Sequence, residues 1–276
     1  MRDIRRFHYH HADGSAVGGR LQRPVDKPIP LQASLSLPPV GGHHAIRQEK
    51  FDFEGLIHFD AASTEVSGTA IHPNGPWTTV VSTRVEGVKF ADVVTADRVV
   101  ARISTEHPAE GYIPKVSFVG TQFVNLRIGG QPVAPELDLD FCSHGNGSEY
   151  PRESCFHNGG FRQRVRNQRS AFARHRNTLG NTISDWVERH SSSYSDEELD
   201  RSGHATCSLV RDITGDCPGT RVGHVIDIPE FGRIYLAELI VDFDSFQLSM
   251  IRLELGCPVQ GDGGVGNARI NGKTGP

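Results

Sequence analysis

Residues 79–139 limit the fold more than any other part of the chain, because strand signals there are dense and agree with one another. Val99, Ala101 and Ile103 alternate with Arg98, Val100, Arg102 and Ser104, the period of two that a half-buried strand requires. A sheet therefore forms the core. Thirty glycines and sixteen prolines supply many turns and leave little room for long helices. With 276 residues, the expectation is a single β-rich domain over residues 1–276: mainly β, an antiparallel β sandwich or barrel with a small helical insertion.

Residues 1–48 read as short strand-like pieces (7–11 and 31–37) broken by glycine and proline, which suits edge strands or extended chain around the core. FDFEGLIHF reads as one strand bent at Gly55, and Gly87 as a bulge or corner in the strand that follows Trp77. Gly129-Gly130 has the backbone freedom of a two-residue hairpin turn, which would pair residues 123–128 with 132–139. In GRIYLAELIVDF simple alternation sets Tyr235, Ala237 and Leu239 against Leu236, Glu238 and Ile240. Residues 261–276, rich in glycine and small polar side chains, read as a flexible tail.

Composition changes at Cys142. Residues 142–206 are polar, poor in β-branched side chains, and hold the best helix candidates, so they read as the insertion. RQRVRNQRSAFARH is a helix over 162–175. Asn181-Thr182 would cap a second helix with Ile183, Trp186 and Val187 on one face, and the acidic run after Ser193 would start a third.

The run VVTADRVVARIS followed by FVGTQFVNLRIGGQPV resembles the strand repeats of bacterial choice-of-anchor P proteins, in which a Thr-Ala-Asp turn precedes a strand and a glycine hairpin follows one. GHVIDIPEFGRIYLAELIV resembles a conserved bacterial family of the same β-rich type. The resemblance implies a β fold and no activity.

A net charge of -4 argues against general polyanion binding, and no run approaches the roughly 18 apolar residues of a membrane span, so no membrane partner is expected. MRDIRRFHYHH has no apolar stretch behind its charges, and the expectation is a cytoplasmic protein. Five cysteines without a C-x-x-C pair fit reduced thiols.

Three clusters carry chemistry. Cys142-x-His144 and Cys155-x-His157 form a repeated C-x-H, a thiolate and imidazole set that suits zinc. Free thiols with surface histidines, or a Cys142–Cys155 disulfide, account for the same residues. On a strand, His8 and His10 would share a face, with Asp13 or His43-His44 completing a metal set, unless all are exposed edge histidines. Arg162, Arg164, Arg166, Arg169, Arg174 and Arg176 could hold a polyanion or single-stranded nucleic acid, or pair with nearby carboxylates. The leading functional expectation is a non-catalytic β-rich binding or structural protein, with self-assembly into a homo-oligomer through strand edges. The alternatives are a metal-dependent enzyme with its Cys/His site under the insertion, and polyanion binding by the arginine segment.

Overall fold

The structure, a computed structural model, describes residues 6–23, 26–143, 150–178, 185–191, 196–243, 245–256 and 259–275. Two antiparallel sheets face each other as a sandwich. The first runs, in spatial order, Gln131–Pro132, Arg127–Ile128, Val94–His107, Trp77–Phe90, Ile57–Ala70 and Gly42–Phe53. The second runs Thr220–Val222, Val225–Ile228, Gly232–Asp242, Ser245–Leu255, Gln260–Ile270, Ala12–Arg23 and Lys27–Gln32, with His204–Ser208 also pairing to Gly232–Asp242. Val99, Ala101 and Ile103 are buried in the core as their alternation requires, together with Val81, Val85, Leu248 and Val265. No helix among the described residues is long and apolar enough to cross a membrane.

Two glycine-rich segments correct the sequence reading. The segment expected as a flexible tail over 261–276 is ordered through its described residues, 261–275: Gln260–Ile270 is an interior strand, paired on one side with Ser245–Leu255 and on the other with Ala12–Arg23. Ala12–Arg23 is likewise interior and not a peripheral wrap. Gly14, Gly263 and Gly266 sit where the opposite sheet approaches closely. A Cβ on Gly14 would lie 2.6 Å from both Thr64 Cγ2 and Thr83 Oγ1 of the opposite sheet. Thr83 Oγ1 in turn donates to the Asn267 carbonyl at 3.0 Å, tying the sheets through a buried hydroxyl.

Turn chemistry explains two further differences. Glu54 and Gly55 both take positive φ (55° and 66°), so FDFEGLIHF is a hairpin of two strands, with Phe51 stacked on its cross-strand partner Phe59 at 5.3 Å. The Gly129-Gly130 hairpin forms, with Ile128 opposite Gln131, but Ala134–Leu137 leaves it to pair with Val210–Thr214.

Alternation slips by one residue along one row of each sheet. In Gly232–Asp242 the residues facing the core are Ile234 and Leu236 before Ala237, then Leu239 and Val241 after it. In Ser245–Leu255 the core side changes phase between Met250 and Ile251. Cross-strand register is the same on both sides, Leu236 opposite Ile251 and Glu238 opposite Ser249, because neighbouring strands slip together. Positive φ marks the row at Ala237 (47°) and Gly266 (66°) in the second sheet, and at Lys50 (41°) and Gly87 (63°) in the first. The simple alternation of the sequence reading therefore fails at Ala237: Tyr235 and Glu238 share the outer face.

The insertion lies over that outer face. Helix α1 (Gly159–Thr178) buries Phe161, Val165 and Phe172, and α2 (Asp185–Ser191) buries Trp186 and Val187. Helix α3 (Asp196–Ser202) follows. Phe172, Trp186, Val187, Val222, Val225 and Tyr235 form a second apolar cluster behind the sheet. Asn181, Thr182 and Ile183, expected to open the second helix, lie outside the described residues.

Candidate functional site

At one end of the sandwich a cavity of about 360 Å³ opens between strand ends of both sheets and the start of the insertion. Its apolar wall includes Ile113, Phe246 and Ile270, and its polar groups include Thr105, Cys155 and Thr274. The ribbon of Phe7–Tyr9 with Lys273–Gly275 borders it. There His8 bonds through Nδ1 to Thr274 Oγ1 (2.9 Å), stacks on Trp77 at 5.6 Å, and lies 4.3 Å from the ring of His107, another lining residue. Burial, and then the neighbouring His107 and His10, push His8 down to about 3, so it is neutral near pH 7. His10 Nδ1 pairs with Thr79 Oγ1 at 2.7 Å. Both histidines are buried, and neither Asp13, His43 nor His44 joins them in a metal-type set among the described residues.

The structure brings Cys142 and Cys155 together as buried, hydrogen-bonded thiols. Burial pushes Cys142 up. Cys155 is drawn down, first by the hydrogen bond from Cys142, against the effect of burial, with help from Ser154 and the Phe156 amide. The asymmetry makes Cys155, which faces the cavity, the more readily ionised sulfur. His157 is exposed on the 3-10 turn that begins at Cys155, and His144 lies outside the described residues. Among the described residues, no third metal-type group closes on the two sulfurs to within 4.8 Å.

The arginines of α1 mostly hold the insertion in place. Arg164 donates to the Phe141 carbonyl (2.7 and 3.0 Å), lies over the Phe141 ring at 5.6 Å and is 3.8 Å from Asp138. Arg162 donates to the Phe156 carbonyl, Arg166 to Gln163, and Arg176 lies 3.9 Å from Glu188. Arg169 is half-buried, while Arg166 and Arg174 are exposed.

A second polar cluster, between the insertion and the outer face of the second sheet, escapes the sequence reading. Glu238 receives Arg252 Nη2 at Oε1 (2.8 Å) and Arg252 Nε at Oε2, and Arg252 also donates to Glu254 at 2.7 Å. Burial alone would raise the Glu238 carboxyl, but the nearby His190 ring and the hydrogen bonds and charge of Arg252 hold it down to about 2. His190 Nε2 stands 3.9 Å from Glu238 Oε1, and its Nδ1 donates to the Trp186 carbonyl at 2.8 Å. His224 is 3 % exposed, and its buried Nε2 has no hydrogen-bond partner. The ligand atoms of His190, His224 and Glu238 lie within 4.8 Å of one another. The available signal was a charged residue inside each of two apolar strand runs, AELIV and MIRLEL, which implies a buried partner.

A family model matches residues 8–242, most of the chain, and the chain belongs to that family, described as a domain of unknown function (DUF8256). No curated protein and no solved structure matches it.

Proposed function

We propose that the chain is a β-sandwich binding protein that holds one small, mainly apolar molecule in the cavity beside Cys155. The observation that carries this reading is the cavity's construction: its walls come from both sheets, the C-terminal ribbon and the insertion, which meet around one space of about 360 Å³. That volume lies within the roughly 300–1,000 Å³ usual for ligand pockets, and mostly apolar walls with a few polar groups are the usual lining. Binding is favoured over nucleophilic catalysis because the partner that acidifies Cys155 is a second thiol, which donates a hydrogen bond and is no general base. The proposal does not extend to polyanions, since Arg162, Arg164, Arg166 and Arg176 are engaged within the fold.

The test uses the amphipathic dye 1-anilinonaphthalene-8-sulfonate, an apolar ring system with one sulfonate, with the full chain. Saturable binding of one equivalent is expected, weakened at least tenfold by Ile113→Trp, which fills the cavity from a loop. Unsaturable binding, or equal binding by a folded Ile113→Trp variant, overturns the reading.

A further inference from the structure

Three potential lone-pair donors converge under the insertion: an imidazole nitrogen from α2, another from the turn before Val225–Ile228, and a carboxylate oxygen from Gly232–Asp242. The tautomer of His190 follows from its partner. A backbone carbonyl can only accept, so Nδ1 carries the proton given to Trp186, and in the neutral ring Nε2 presents a bare lone pair. That lone pair faces Glu238 Oε1 across 3.9 Å, too far for a hydrogen bond. A ring nitrogen of His224 lies in the same space, and the Nε2 of that ring is buried and unpaired. An orphaned buried nitrogen costs about 1–3 kcal/mol, so its place beside a second bare nitrogen and a carboxylate calls for an occupant.

We propose that His190, His224 and Glu238 bind a divalent transition-metal ion of the zinc type. Two imidazoles and one carboxylate are a borderline N/O donor set, and three protein ligands leave a coordination position open for water or a substrate. Ligand atoms around a tetrahedral zinc lie about 3.4 Å apart, given bonds of about 2.0–2.1 Å. The observed spacing, 3.9 Å between His190 and Glu238 and at most 4.8 Å for any pair, needs a contraction of at most about 1.4 Å, which side-chain rotation and the seven-residue α2 can supply.

The surroundings match those of a ligand set. The Trp186 carbonyl orients His190, and Arg252 orients Glu238 through both oxygens, leaving further lone pairs on the carboxylate. Phe172 stacks on the His190 ring at 4.9 Å and meets His224 edge-on at 5.6 Å, so apolar surface shields the site. The site is separate from the proposed cavity and from the Cys142–Cys155 pair.

The test is titration of the chelator-stripped full chain with Co²⁺ and Zn²⁺. One equivalent of Co²⁺ is expected to give visible d–d bands without the near-ultraviolet thiolate-to-cobalt band that cysteine ligands produce, and to quench Trp186 more than Trp77. Zn²⁺ should displace it and raise Tm. His190→Ala, on the short surface helix, should weaken binding at least a hundredfold with an unchanged circular dichroism spectrum, and Glu238→Gln should do the same if folded. Cys142→Ser with Cys155→Ser should leave it unchanged. Absence of one-equivalent binding, a thiolate band, or undiminished binding by His190→Ala overturns the proposal.

Discussion

Arg252 grips both oxygens of Glu238 from the neighbouring strand, while its guanidinium lies 3.6 Å above the Tyr235 ring. The carboxylate is almost fully buried, so removing its partner leaves an uncompensated charge. Arg252→Ala is expected to destabilise the fold by about 3–5 kcal/mol in urea unfolding. Arg252→Lys should recover only part of this, because an ammonium cannot make the two-pronged contact or stack as a plane. Equal stability of wild type and Arg252→Ala would remove the ion pair from any structural role.

His8 predicts acid sensitivity. Its folded value of about 3 lies below the ordinary 6.5, so the unfolded chain takes up the proton first. The stability it contributes is complete above about pH 6.5 and is lost as pH falls toward 3, at up to about 1.4 kcal/mol per pH unit. The groups facing it are His107, His10, Trp77 and Thr274. Unfolding midpoints at pH 7 and pH 4.5 should differ less in His8→Phe than in wild type, and an unchanged difference would contradict the assignment.

Thiol reactivity should separate the buried cysteines. Iodoacetamide at mildly alkaline pH is expected to modify Cys155 before Cys142 and Cys207, both of which burial pushes up, as read by peptide mass mapping. Prior occupation of the cavity by the dye should slow the reaction. Faster labelling of Cys142 would reverse the proposed hydrogen-bond direction.

Close approach of the sheets makes Gly14 intolerant of a side chain. Gly14→Val pushes methyl groups into Thr64 and Thr83 and should cost about 1–3 kcal/mol, a loss visible in the urea midpoint.

Truncation after Gly256 removes the strand between Ser245–Leu255 and Ala12–Arg23. It should abolish cooperative unfolding. A truncated chain that still melts with wild-type cooperativity would show that the second sheet does not need its C-terminal strand.

What the sequence made legible was whatever rests on local pattern. The Val99, Ala101, Ile103 stripe, the Gly129-Gly130 turn and the helix containing Phe161, Val165 and Phe172 each follow from spacing within a few residues. Gln260–Ile270 was hidden because its glycines answer to neighbours distant in sequence, Gly263 and Gly266 to Phe90 and Val99 of the facing sheet and Gly261 to the backbone of Arg20, while local propensity reads them as loop. Of the candidate sites, the approach of Cys142 to Cys155 could be suspected from their repeat. His190, His224 and Glu238 could not, since they lie on three separate elements and Glu238 reads as core-facing under strict alternation.

The slip at Ala237 has a genetic consequence. Loss of the single codon for that residue would return the strand to strict alternation, Leu236 inward and Glu238 outward, so both halves would keep their faces. The cost falls on the neighbours: Met250 and Gly266 occupy the same row in the adjoining strands, and with Ala237 gone Met250 has no residue opposite it, so the ladder there must bulge or shift register on one side. Length is therefore shared along the row: a deletion in one strand leaves a regular ladder only when the adjoining strands lose their row residue as well.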